Sequence, residues 1–127
     1  MHEFSTMYSI VQAVLEAAEE RGADKILEIN LDIGDLTFLN HEQLQFAFSI
    51  ISKDTKAEGA KLNIRSVEPK IRCLKCGYVG RGIYEGPEYH LYGFPLPMKC
   101  GRCGSTEIEF LEGRECKIKS ISVLVKH

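Results

Sequence analysis

The chain has 127 residues, 44% hydrophobic and 27% charged, with a formal net charge of −2. That suits one domain, or one small domain carrying a smaller insert. The mildly acidic balance argues against a dedicated nucleic-acid binder, whose phosphate contacts need clustered Lys and Arg, and no apolar run is long enough to span a membrane.

Residues 4–21 read as a helix. Met7, Ile10, Val11, Val14, Leu15 and Ala18 form one continuous apolar stripe, and Arg21 and Gly22 suit a last turn and its cap. Met7 is thereby a core residue rather than a soft metal ligand. Residues 25–33 alternate, with Leu27, Ile29, Leu31 and Ile33 on one face and Glu28, Asn30 and Asp32 on the other, as in a half-buried strand. Asn40 opens a second helix, with Gln43 placed as in a capping box. Its expected apolar face is Leu44, Ala47, Phe48 and Ile51, widened by Phe46 and Ile50. A second strand covers 61–68 and stops at Pro69.

Composition then changes. Arg72 to Gly113 holds eight glycines, three of the four prolines and four cysteines. About 40 residues bury too little apolar surface to fold alone, so a metal must supply the missing stability. After Gly113 a strand returns. Ile121, Val123 and Val125 alternate, while Cys116 and Ile118 sit in the other phase, which suggests a bulge near Lys119. Cys116 reads as a small buried side chain rather than a fifth ligand.

The expected fold class is therefore α+β. Two helices pack on a three-stranded, mostly antiparallel sheet built from 27–33, 62–68 and 116–125, with an inserted zinc-ribbon-like module. The implied domains are 1–70 plus 114–127, and 71–113. Short glycine-bearing linkers permit exchange of the module between two chains, and so a homodimer.

The module's chemistry lies in Cys73-Leu-Lys-Cys76 and Cys100-Gly-Arg-Cys103. Two C-x-x-C pairs supply a tetrahedral sulfur cage, and Gly77 and Gly104 follow at positions where such knuckles take a positive φ. Zinc is the preferred occupant. Iron fits the same S4 set, and disulfides would need an oxidising compartment. The start Met-His-Glu-Phe lacks the basic and apolar regions of a secretory signal, so the expected compartment is cytoplasmic. With all four thiolates on one ion the metal is structural, since catalytic zinc keeps an open position.

The N-terminus offers a second ligand set. The α-amine of Met1 and the amide nitrogen of His2 close a five-membered chelate, and the His2 imidazole closes a six-membered one. A planar array of nitrogens suits Ni(II) or Cu(II) rather than zinc. Glu3 is adjacent, and His90 is a candidate fourth donor from the module. Against this, terminal residues are usually frayed, and Glu3 also complements a helix dipole.

Met1-His2-Glu3, Ile33-Gly34-Asp35-Leu36, Leu44-Gln-Phe-Ala-Phe48, Ala57-Glu-Gly-Ala-Lys-Leu62 and the paired C-x-x-C motifs together resemble the HypA family of hydrogenase maturation nickel metallochaperones. The likeness runs essentially the whole chain. It implies that Met1 and His2 hold transferred Ni2+, with Glu3 in or beside the shell and His90 as the best match to a fourth ligand. It implies structural Zn2+ on Cys73, Cys76, Cys100 and Cys103. It also implies two partners, a hydrogenase maturation GTPase and the [NiFe]-hydrogenase large subunit, with urease as a second system served in bacteria. No phosphate-binding loop, nucleophile–base pair or cofactor fingerprint appears, so catalysis is not expected of this chain. The competing function is a zinc-ribbon adaptor for nucleic acid or protein. Between Cys73 and Cys103 only four basic residues stand against two acidic ones, a weak footprint for nucleic acid.

Overall fold

The computed structural model describes residues 2–84 and 98–126. Met1, His90 and His127 lie outside the described residues. The chain forms two compact units. One comprises residues 1–32, 39–65 and 116–127, and the other comprises 33–38 and 66–115.

The first unit contains helix α1 (Glu3–Glu20), helix α2 (His41–Ile51), strand β8 (Cys116–Leu124) and all but the last two residues of strands β1 (Lys25–Gly34) and β2 (Lys61–Val67), in the sheet order β2-β1-β8. The α1 stripe folds inward as its spacing implies, with Met7, Ile10, Val11, Val14 and Ala18 buried. Asn40 caps α2, its side chain accepting the Gln43 N–H at 2.9 Å. The helices pack on each other, and the Phe4 and Phe46 rings meet edge-on at 6.4 Å.

Cross-strand contacts give the pairing directions. Asn63 reaches Asn30 and Arg65 reaches Asp32, so positions rise together along β1 and β2, as in parallel strands. Asp24 bonds Leu124 and Gly34 bonds Glu115, so β1 and β8 run in opposite directions. The α+β class holds, but the sheet is mixed, one parallel and one antiparallel pair rather than mostly antiparallel, because α2 lies on the crossover that a parallel β1–β2 pair requires. Arg65 grips Asp32 with two bonds of 2.9 and 2.7 Å, and this holds the Asp32 carboxyl below its ordinary range.

Two further expectations are corrected. Leu27 is exposed and Ile26 is buried; alternation holds only from Ile29, so the burial phase slips at the start of β1. The Ile26 N–H is drawn to the Lys56 carbonyl there, which turns this residue inward ahead of the regular pleat. Phe46 and Ile50 do not widen the α2 core face. They are 60% and 48% exposed, because Leu44, Ala47 and Phe48 already fill it.

The second unit contains β3 (Lys70–Cys73), β4 (Val79–Gly80), β5 (Gly82–Tyr84), β6 (Met98–Cys100) and β7 (Ile108–Glu112). They form the sheets β4-β3-β7 and β5-β6, with antiparallel pairing throughout. Its small core is Ile71, Cys73, Met98 and Cys100, with Leu36, Tyr78, Ile108 and Phe110 packed against it. Two of the four core residues are the module's own cysteines, so hydrophobic packing and the thiol site are one structure. Residues 33–38 join this unit through Gly34 N–H to Glu115 O at 2.8 Å and Leu36 N–H to Gly113 O at 2.9 Å. The backbones touch there, and a Cβ built on Gly34 would lie 2.3 Å from the Gly113 carbonyl.

Candidate metal sites

Strands β3 and β6 each end on a cysteine, and each then enters the same turn. Cys73 N–H donates to Tyr78 O at 2.8 Å, and Gly77 N–H donates to Cys73 O at 3.0 Å. Cys100 N–H donates to Ser105 O at 2.8 Å, and Gly104 N–H donates to Cys100 O at 3.0 Å. The second cysteine's N–H points back at the first sulfur, at 3.4 Å in both turns. Gly77 and Gly104 have φ of +78° and +76°, and a Cβ on either would meet nothing within 4 Å. Glycine is therefore used here for its backbone freedom, not for space.

The two knuckles face each other across their sulfurs. Cys73 Sγ lies 3.6 Å from Cys103 Sγ, and Cys76 Sγ lies 3.7 Å from Cys100 Sγ. All four sulfurs fall within 4.8 Å of one another. A tetrahedral centre with zinc–sulfur bonds of about 2.3 Å needs sulfurs about 3.8 Å apart. The four-cysteine cluster therefore has the size and donor set of a zinc site. Cys73 and Cys100 are buried, while Cys76 and Cys103 are exposed, so each knuckle contributes one inner and one outer sulfur.

The environment tunes these thiols unequally. The Cys73 pKa is lowered, chiefly by the Cys76 N–H. At Cys100 burial opposes ionisation, but the amides of Cys103 and Arg102 and the neighbouring thiols draw the pKa down to about 6. At Cys76 the Tyr78 amide favours the thiolate, but desolvation and the three other thiols outweigh it and push the pKa up to about 11. Four thiolates cannot sit together uncompensated. A divalent cation relieves that repulsion and releases protons as it binds. Cys116 is half-buried, and its desolvated thiol is raised.

At the other candidate site, His2 occupies the N-cap position of α1 in extended conformation, with φ −105° and ψ 132°. Its carbonyl accepts the Thr6 N–H at 3.0 Å and the Ser5 hydroxyl at 3.2 Å. Its exposed imidazole makes no capping bond. The N–H of an N-cap residue also lies outside the helical ladder. The two His2 nitrogens that a planar chelate needs are thus placed beyond the start of the helix. Glu3 has a role that the sequence did not suggest. Its Oε2 accepts the backbone N–H of Asn40 at 3.0 Å, tying the start of α1 to the start of α2, and this bond lowers its pKa. No local pattern signals a contact between residues 37 apart. Met1 and His90 lie outside the described residues, and among the described residues the cysteine quartet is the group of three or more clustered His, Cys, Asp or Glu donors.

The chain is similar to known proteins over nearly its whole length. A family model described as hydrogenase/urease nickel incorporation, metallochaperone, hypA matches residues 1–123. Hydrogenase maturation factor HypA of Methanothermobacter thermautotrophicus is 41% identical over 123 residues, covering 97% of each chain. The protein of the same name from Methanocaldococcus jannaschii is 39% identical over 128 residues, again covering 97% of each. The solution structure of the Ni metallochaperone HypA from Helicobacter pylori superposes with a TM-score of 0.69 at 22% identity, over 99% of this chain and 100% of that one, a likeness of fold.

Proposed function

Because this chain belongs to the HypA family of hydrogenase and urease nickel-incorporation metallochaperones, we propose that it binds Ni(II) at its N-terminus and hands it on during [NiFe]-hydrogenase maturation. The ligands are the Met1 amine and the amide and imidazole nitrogens of His2, with Glu3 beside them. On the resemblance alone, His90 is the fourth donor. The observation that supports this most is the state of His2: exposed, at a helix N-cap, with its imidazole not used as a cap.

A carrier must select its ion and also release it. Planar nitrogen donors select Ni(II) over harder ions. Donors outside the helical hydrogen bonds let the ion leave without breaking them. Binding displaces protons from amine and amide, so affinity rises with pH. Zn2+ on Cys73, Cys76, Cys100 and Cys103 would serve as structural metal, fixing both knuckles and the core they belong to. The carrier works in the cytoplasm, with a GTPase of the maturation pathway and the hydrogenase large subunit as exchange partners; GTP hydrolysis belongs to the partner.

Calorimetry of the untagged chain tests the proposal. His2→Ala is expected to abolish nickel binding and leave zinc content and circular dichroism unchanged. Unaltered nickel affinity in that variant would reject the site and leave the zinc-ribbon adaptor as the surviving function.

A further inference from the structure

Among the described residues, the sheet order β2-β1-β8 leaves the nine-residue β8 as an edge. Beside it lies a groove of about 370 Å³, walled by Ala13, Ala17 and Arg21 of α1 and by Ile118, Ile121 and Val123 of β8. Its lining is predominantly aliphatic. Ala13 and Ala17 are one turn apart and keep the helix wall low, while Ile118 on the strand is 39% exposed. An edge strand next to a helix-walled apolar groove is suited to an added strand. The edge's backbone groups pair with the guest's backbone, and the groove takes every second side chain.

Charge selects the guest. From Cys116 to Lys126 the sequence carries Lys117, Lys119 and Lys126 and no carboxylate, and Arg21 stands in the groove wall. Two acids lie near the strand: Asp24 accepts the Lys126 N–H at 3.2 Å, and Asp32 holds Arg65 and also feels Lys119 and Lys117, one carboxylate among three cations. Lysines on an open edge deter pairing with a like strand, which disfavours a second copy of β8. They attract a strand that alternates apolar residues with Asp or Glu. We infer that β8 and the α1 groove dock an extended, acidic-and-apolar peptide segment of a partner protein, adding it to the sheet. The inference is independent of nickel, because none of these residues belongs to either metal site.

The test titrates the full, zinc-loaded chain with a capped peptide alternating Val and Glu, and with its Val–Lys counterpart. Amide chemical shifts and hydrogen exchange are followed. The Glu peptide is expected to shift residues of β8 and of α1 from Ala13 to Arg21, to protect β8 amides, and to bind at least about tenfold more tightly than the Lys peptide. Ala17→Leu fills the groove, and Lys119→Glu inverts a charge on β8 outside the groove lining, beside Asp32 and Arg65; each should weaken binding by about tenfold. Unchanged circular dichroism and zinc content show that a variant is folded, and Lys119→Glu decides alone if Ala17→Leu is not. Absence of saturable binding, shifts confined to other elements, or equal affinity for the two peptides would overturn the inference. So would concentration-dependent dimerisation through β8, which would give the edge to a second copy.

Discussion

Replacing Glu3 by Ala separates two roles for one carboxylate. Its Oε2 accepts the Asn40 N–H at 3.0 Å, and Asn40 in turn caps α2 through Gln43. A charged acceptor on a backbone amide contributes about 1.5–3 kcal/mol when shielded from water. Glu3 is only half-buried, so screening reduces this to about 1 kcal/mol. Glu3→Gln keeps an oxygen acceptor but no charge, and should lose about half as much. The sign with pH follows from the lowered pKa. The folded carboxyl titrates below its ordinary 4.5, so the stabilisation is fully present above that value and fades as pH falls through the folded pKa. Urea unfolding of the three chains, from neutral pH down into that range, measures it. The wild-type and Ala curves should be separated at pH 7 and converge in acid. Coincident curves at pH 7, or a gap that persists in acid, would refute the reasoning. A Glu3→Gln chain with wild-type stability and no nickel binding would equally refute it, since that pattern places the carboxylate on the metal rather than on α2.

Gly34→Ala pushes a Cβ to 2.3 Å from the Gly113 carbonyl, backbone against backbone. It should destabilise by about 3 kcal/mol or more, read as a lower urea midpoint, and an unchanged midpoint would contradict the close approach. Cys76→Ser removes an exposed thiol whose loss cannot be blamed on a core cavity, so elemental analysis should find less than one zinc per chain; full stoichiometric zinc would contradict the four-sulfur cage. Zinc affinity should rise with pH across the neutral range, because Cys76, with a pKa pushed up to about 11, must lose its proton on binding. Chelator competition that gives the same affinity at every pH would show that the cluster binds without releasing it.

Much of the scaffold was legible because its signals are local. The α1 stripe, the Asn40 cap and the two knuckle glycines depend on neighbours within a turn or two, and each appears as its spacing implies. Tertiary competition was not legible. Ile26 displaces Leu27 from the core because a carbonyl thirty residues on captures its amide. Phe46 and Ile50 match the helical period yet stay exposed, since periodicity marks a face but not how much of it the core can hold. The parallel β1–β2 pairing follows from the crossover through α2 and leaves no trace in either strand's pattern. At the sites, cysteine spacing alone gave the cage, whereas the Glu3–Asn40 bond joins two helix starts that no motif connects.

The central claim is a transferable ion held by the free amino end and the imidazole next to it. Nickel calorimetry on zinc-loaded protein, with its N-terminus free in one sample and acetylated in the other, measures this directly. The account predicts one Ni(II) per chain in the free form and none at the terminus after acetylation, with zinc and fold unchanged. Equal nickel affinity in the two samples, or no nickel binding by the free form, would contradict it.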